Sequence, residues 1–256
     1  MRLNHLVTKN EIYAFLISVF ILSFGFGFDD GAKTFVFQNW LNNFFMVVFL
    51  VAISLLFFIL VQKYFAYRHS ANLEYKLWFV TRFGFKKNQN VGKDSSGRTL
   101  KGIPLGLILS LFFTIMSSGK LPFTAVGISD VTVNRAARTG RKHIDLANYE
   151  EALIQLAGPL TNVGLIIIGV FVGNLFAVDV TKFAMINFLM AIFAMLPFSA
   201  LPGAKIFFGS RSLYVFGILM IFLSFILKGA GAIGAIILAV LLALLLTGAY
   251  NYRWEN

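Results

Sequence analysis

Long apolar runs separated by short clusters of charged residues dominate the pattern of this chain. An α-helix rises about 1.5 Å per residue, so about 20 apolar residues cross a hydrocarbon core of about 30 Å. The pattern therefore predicts a polytopic, all-α membrane protein. The predicted helical runs are residues 12–28, 44–66, 103–118, 150–178, 183–200, 213–227 and 230–249.

The run at residues 103–118 is shorter than the others. Its sixteen residues give a helix of only about 24 Å, which is short for a full crossing. We expect this run to enter the membrane and return on the same side. The predicted fold is therefore six transmembrane helices plus one short re-entrant segment.

Basic residues concentrate on both sides of that short run. Residues 63–102 hold nine Lys or Arg against two acids, and residues 119–150 are also basic. Cytoplasmic loops of membrane proteins collect Lys and Arg. Both loops are therefore expected on the cytoplasmic face, which requires residues 103–118 to be re-entrant and places both termini in the cytoplasm.

Two segments of these loops have the composition of β-strands. Leu73, Tyr75, Leu77 and Phe79 alternate with polar residues, and residues 122–134 are rich in β-branched side chains. We expect them to pair into a small cytoplasmic sheet, with a further strand near residues 80–85. The chain is thus predicted to be a single membrane domain, 1–256, with 63–102 and 119–150 as strand and loop insertions.

Composition excludes several classes of protein. The chain is 58% hydrophobic with a net charge of +11, and the positive-inside bias accounts for that charge without a nucleic-acid partner. The lipid bilayer is the expected partner. The absence of cysteine excludes disulfide, iron–sulfur and thiolate chemistry. The three histidines, His5, His69 and His143, are few and scattered for a metal enzyme.

The run at 183–200 ends in a segment that cannot continue a regular helix. Pro197, Pro202 and Gly203 lie within seven residues, and each proline removes a backbone donor and clashes with the preceding turn. Two interpretations are open: a loop between two spans, or an interrupted helix whose free backbone groups line a protein-covered site.

Three stretches in this order resemble a known family. They are Val61–Ala66 (VQKYFA) with Leu73–Trp78 (LEYKLW) after it, Ala157–Asn162 (AGPLTN), and Leu196–Phe207 (LPFSALPGAKIF). Together they resemble the site-2 protease family of intramembrane zinc metalloproteases, in its compact archaeal type. The resemblance implies a helical membrane bundle whose small sheet holds a client segment by strand addition.

The residues that would perform the chemistry of that family are missing. Its HExxH motif needs two imidazoles on one helix face and a Glu as general base. By the resemblance, the His, Glu and His positions hold Phe58, Ile59 and Gln62, and the position of the zinc-binding Asp holds Pro202. None of these side chains replaces the lost one, so no catalytic residue and no metal site are predicted.

The motif residues that persist are expected to shape the former site. Gly158 and Pro159 are expected to open a helix, with Asn162 facing the bundle, and Gly203 belongs to the third stretch. The side chains of Gln62, Asn162 and Lys205 are candidates to line the old cavity, because polar groups in membranes tend to face the interior. Alternatively, Gln62 and Lys205 only cap or anchor helix ends.

Three functional hypotheses follow. The first is a catalytically inactive homologue, or pseudoprotease, that binds or regulates membrane-protein clients or a partner protease. The second is an active intramembrane metalloprotease whose zinc ligands are not recognisable from sequence. The third is a non-enzymatic transporter of a neutral substrate that uses the interrupted segment, since no acid or histidine lies mid-span to couple protons.

Overall fold

The structure is a computed structural model of the 256-residue chain. It describes residues 7–29, 31, 34–80, 102–138, 145–198 and 200–226, together with 240, 244, 247 and 248. The predicted second strand beyond residue 80, most of the predicted run at 230–249, and His5 and His143 lie outside these residues. The described part is mostly helical with one small sheet.

In the ranges that the structure describes, the named elements are seven α-helices, two strands and one 3₁₀ helix. They are α1 (Lys9–Gly27), α2 (Phe37–Arg68), β1 (Ala71–Leu77), α3 (Leu105–Met116), β2 (Gly127–Val133), the 3₁₀ helix Arg135–Arg138, α4 (Asn148–Phe176), α5 (Thr181–Ala194), α6 (Pro202–Gly209) and α7 (Arg211–Ile226).

Three described helices, α1, α2 and α4, are long and apolar enough to cross a membrane. The helices α3, α5 and α7 are apolar but span 12, 14 and 16 residues. The helical run predicted at residues 44–66 begins earlier in the structure, because α2 starts at Phe37. Aromatic side chains explain the extension, because Trp40 stacks on both Phe37 and Phe44.

The strands β1 and β2 form a two-stranded sheet, so the predicted pairing of these two segments is confirmed. At one end the Asn134 N–H donates to the Ser70 carbonyl, and at the other the Trp78 N–H donates to the Val126 carbonyl. Residue numbers rise along one strand as they fall along the other, so the strands are antiparallel. Val80 and Ile103 form one further isolated antiparallel bridge.

The chain divides into two compact units, each with its own packing. The first comprises Met1–Val48 and Tyr75–Ile128. In it α1 packs against α3, and a Cβ added at Gly25 would lie 3.1 Å from Thr114 and Pro122. Glu11, buried in the first turn of α1, accepts the Tyr75 backbone N–H at 3.1 Å.

The second unit comprises Phe49–Glu74 and Ser129–Asn256. Its centre is α4, which packs against α5, α6 and α7. Glu150 accepts the Ala147 N–H at the start of α4, and Ala177 ends the helix in the left-handed conformation, an αL cap. The buried core of these helices is formed by Leu156, Val163, Ala191, Met195, Ile206, Met220 and Ile221.

The interrupted segment is confirmed as a break between two helices. α5 ends at Ala194 and α6 begins at Pro202, where a proline in the first turn loses no helical hydrogen bond. Gly203 lies against the backbone of Met195 so closely that a Cβ would overlap it. The glycine is therefore required by the close approach of the two chain segments.

Candidate functional site

The candidate site is built around the point where α2 meets α4 in the second unit. Gly158 has no side chain, and a Cβ there would lie 2.6 Å from Phe58 Cζ and 2.7 Å from Gln62 Nε2. Phe58 and Gln62 are four residues apart, so they share one face of α2. Both side chains therefore reach the backbone of α4 at Gly158.

Pro159 lies inside α4, eleven residues after the helix begins at Asn148. The prediction that Gly158 and Pro159 open a helix is therefore wrong. A proline within a helix removes the hydrogen bond to the carbonyl four residues earlier, which here is the carbonyl of Gln155. Gln62 Nε2 donates to this carbonyl at 3.0 Å, so α4 continues through the proline with its free acceptor satisfied.

A second hydrogen bond ties Gln62 to the sheet. The Ser129 hydroxyl, on β2, donates to Gln62 Oε1 at 2.6 Å. Gln62, Gln155 and Ser129 are all buried, and each unpaired polar group in such a place costs about 1–3 kcal/mol. The two hydrogen bonds of the Gln62 amide therefore fix α2, α4 and β2 to one another.

The backbone of Ser129 carries the remaining contacts of this network. Its carbonyl accepts from Gln155 Nε2 at 3.0 Å and from Lys205 Nζ at 3.2 Å. Lys205 Nζ also lies 3.0 Å from Glu151 Oε1, with both side chains about a quarter to a third exposed. We call the set formed by Gln62, Ser129, Glu151, Gln155 and Lys205 the Ser129 network.

Residues from all three stretches singled out in the sequence meet at the Ser129 network. Gln62 and Gly158 are in contact, and Lys205, one turn after Pro202, reaches the same serine as Gln62. Phe58 and Ile59 are buried apolar side chains. The Lys205 ammonium lies in a partly exposed ion pair with Glu151, whereas the Gln62 side chain is fully buried.

Asn162 stands apart from this network. It is fully buried on α4, one turn after Gly158, and neither its carbonyl oxygen nor its amide nitrogen has a hydrogen-bond partner in the described part of the chain. Asn187, on α5, is likewise buried; its Nδ2 donates to the Phe183 carbonyl and its Oδ1 has no partner among the described residues.

Sequence reasoning missed Ser129 and Gln155. Gln155 could have been found, because it lies four residues before Pro159 and so owns the carbonyl that the proline frees. Ser129 gave only a weak signal: it is a polar residue at a position of β2 where the alternation predicts a buried side chain.

The charged and titratable groups of the site link α2, α4 and α6 in pairs. In the described ranges no group of three or more His, Asp or Glu residues is placed to hold a metal ion. His69, at the end of α2, has its Nδ1 3.6 Å from Glu150 Oε1. Glu150 also caps α4, so this pair joins the end of α2 to the start of α4.

Beside the sheet, the first unit holds a buried phenol. The Tyr75 hydroxyl donates to Ser18 Oγ at 3.0 Å, and its ring lies against Gly127, where any Cβ would overlap it. Burial raises the pKa of Tyr75 to about 12. The phenol is therefore neutral at physiological pH and acts as a hydrogen-bond donor.

Comparison with known proteins adds no relative. No protein-family model matches the chain, and neither a curated protein nor a solved structure is similar enough to count as a match.

Proposed function

We propose that this chain is a catalytically inactive relative of the site-2 proteases, which binds or regulates membrane-protein clients or a partner protease. The observation that carries the proposal is the Ser129 network. It joins Gln62, at the position of a family zinc ligand, to Lys205 in the stretch that would carry another. Under this proposal, hydrogen bonds and apolar side chains stand where the family has its reactive centre. The scaffold persists without the catalytic chemistry.

The membrane topology belongs to the same proposal. Three helices have the length for a crossing, and six crossings would also need α5, α7 and the run at 230–249. The 12 residues of α3 give about 18 Å, which favours a re-entrant α3. Under this topology the sheet and both termini face the cytoplasm.

Client binding by strand addition would meet two obstacles on this sheet. The Tyr75 N–H of β1 is taken by Glu11, and the Ser129 carbonyl of β2 is taken by Gln155 and Lys205. Strand addition needs unpaired backbone groups along an edge. A client strand would therefore have to stop short of these two residues or displace their side-chain partners.

The first test is the metal content of the full chain. We expect the protein purified in detergent to contain zinc well below one ion per chain by elemental analysis. Stoichiometric zinc that is lost when His69 or His143 is replaced would overturn the proposal in favour of an active metalloprotease.

The second test concerns the client. Photo-crosslinking residues placed at Thr132 and Phe79, which are exposed beside the sheet, should capture the same membrane proteins from native membranes. The matched control is Phe176, an exposed residue at the end of α4. Identical captures from all three positions would contradict binding at the sheet.

Solute flux into liposomes containing the protein would support a transporter instead.

A further inference from the structure

A polar cleft lies in the second unit where α2 ends and β1 begins. Its volume is about 370 Å³, and its polar lining comes from Tyr67, Arg68, Ser70, Asn72 and Asn134. Asn134 Oδ1 accepts from the Ala137 N–H at 3.4 Å, which leaves its amide nitrogen as a donor. We call this the Arg68 cleft.

The Arg68 cleft has a positive charge that its own lining does not neutralise. In the described ranges Arg68 makes no ion pair, whereas Arg135, next to Asn134 in the chain, pairs with Asp145. The carboxyl end of α2 opposes an anion with about half a negative charge. The unit positive charge of the Arg68 guanidinium is larger than this half charge, so the net electrostatic potential in the cleft favours a bound anion.

The position of the cleft indicates which anion. It opens at the end of α2, a helix with the length and hydropathy to cross a membrane. The rings of Tyr64 and Tyr67 there are 59% and 62% exposed, and Lys63 lies in the same two turns. Exposed tyrosines beside Lys and Arg at a helix end are typical of the headgroup level of a bilayer. The cleft therefore opens where lipid phosphates lie.

We propose that the Arg68 cleft binds the phosphate of an anionic phospholipid headgroup. A guanidinium presents a fork of donors that matches two phosphate oxygens, and Asn72 and Asn134 supply amide donors beside it. Basic pockets at the ends of membrane helices bind such headgroups. This site is independent of the inactive-protease proposal, since it requires only that α2 spans the membrane.

The test is equilibrium binding of radiolabelled lipid to the full chain in dodecyl maltoside micelles. Dioleoylphosphatidylglycerol should bind saturably and more tightly than dioleoylphosphatidylcholine, and equimolar inorganic phosphate should not displace it. Arg68→Gln should weaken phosphatidylglycerol binding about fivefold, and Asn72→Ala about two- to threefold. Arg211→Gln, which removes an exposed arginine at the start of α7, should leave binding unchanged.

Three results would overturn the proposal. They are wild-type affinity in Arg68→Gln, equal affinity for the zwitterionic lipid, and displacement by inorganic phosphate, which would identify a soluble anion as the ligand. Because both cleft variants change side chains at the surface, unchanged elution volume and helical circular dichroism should accompany every measurement.

Discussion

Gln62 Nε2 donates a hydrogen bond of 3.0 Å to the carbonyl of Gln155. This carbonyl has lost its helical donor because residue 159 is proline. A side chain from α2 therefore completes the backbone pairing of α4, and the two helices are joined by a bond that a regular α4 would not need. The glutamine at this position is part of the architecture, whatever the ancestry of the site.

The first prediction is a coupling between Gln62 and Pro159. Gln62→Met keeps the size of the side chain but leaves the Gln155 carbonyl and the Ser129 hydroxyl unpaired, so it should cost about 2–4 kcal/mol of unfolding free energy. With Pro159→Ala, the new backbone N–H can donate to the Gln155 carbonyl. In that background Gln62→Met should cost about 1–2 kcal/mol less. Reversible unfolding in mixed micelles gives the unfolding free energies of the wild type, the two single variants and the double variant.

Ser129→Ala is an internal control for this double-mutant cycle of Gln62 and Pro159. Ser129→Ala removes the other partner of the Gln62 amide, and its cost should be the same with proline or alanine at position 159. Additive costs for Gln62→Met and Pro159→Ala, within about 0.3 kcal/mol, would show that the Gln155 carbonyl has another donor.

The second prediction concerns the contact between α2 and α4. Gly158→Ala places a methyl group 2.6 Å from Phe58 Cζ and 2.7 Å from Gln62 Nε2. Overpacking of this kind costs about 1–3 kcal/mol. Gly164 is the matched control, because a Cβ there has no described atom within 4 Å. Gly164→Ala should be neutral or stabilise by up to about 1 kcal/mol, since alanine is the better helix former.

Thermal unfolding of the two alanine variants in the same detergent distinguishes packing from helix propensity. Equal shifts for Gly158→Ala and Gly164→Ala would mean that α2 and α4 separate enough to admit a methyl group. The contact between Phe58 and Gly158 would then contribute little to the fold.

Much of the fold was predictable because its signals are local. Apolar runs predicted the long helices α1, α2 and α4, and the alternation at Leu73–Leu77 predicted β1. The break at Pro202 was predictable because prolines act on their own segment of backbone. The start of α2 at Phe37 was missed, since stacking of Trp40 on its neighbours counts only once the helix exists.

The candidate site was less predictable because it depends on distant partners. A proline within an apolar run predicts a helix boundary, yet α4 continues through Pro159. The carbonyl that the proline leaves without a helical donor is paired by Gln62, which lies 93 residues before Gln155 in the chain. Buried polar side chains such as Ser129 are equally ambiguous in sequence. Their role depends on which strand and helix face each other.

The third prediction is an alkaline destabilisation that depends on Tyr75. Burial raises its pKa in the folded state from 10.0 to about 12. The buried neutral phenol therefore contributes its full stability below pH 10, and loses it as the pH rises from 10 through about 12, because the unfolded state ionises first. Tyr75→Phe also lacks the bond to Ser18, so it should be about 1 kcal/mol less stable at neutral pH.

The free-energy difference between wild type and Tyr75→Phe should shrink above pH 10 and then reverse, because only the wild type has the proton to lose. Subtraction of the two curves removes the effect of the other seven tyrosines and of the lysines. A difference that stays constant up to pH 12 would mean that Tyr75 is open to solvent.

The last prediction tests descent from a zinc protease directly, without any client. Phe58→His and Gln62→His would place two imidazoles four residues apart on one face of α2, both beside Gly158. Pro202→Asp adds a carboxylate at the start of α6, where a negative charge suits the helix dipole. If the scaffold is inherited, this triple variant should bind close to one zinc per chain, since catalytic zinc takes three protein ligands.

The double variant that lacks Gln62→His should bind substoichiometrically, and elemental analysis after gel filtration compares the zinc content of the two variants. A triple variant that elutes and unfolds as the wild type does, yet holds no more zinc than the double variant, would contradict the proposal that these three positions descend from a metal site.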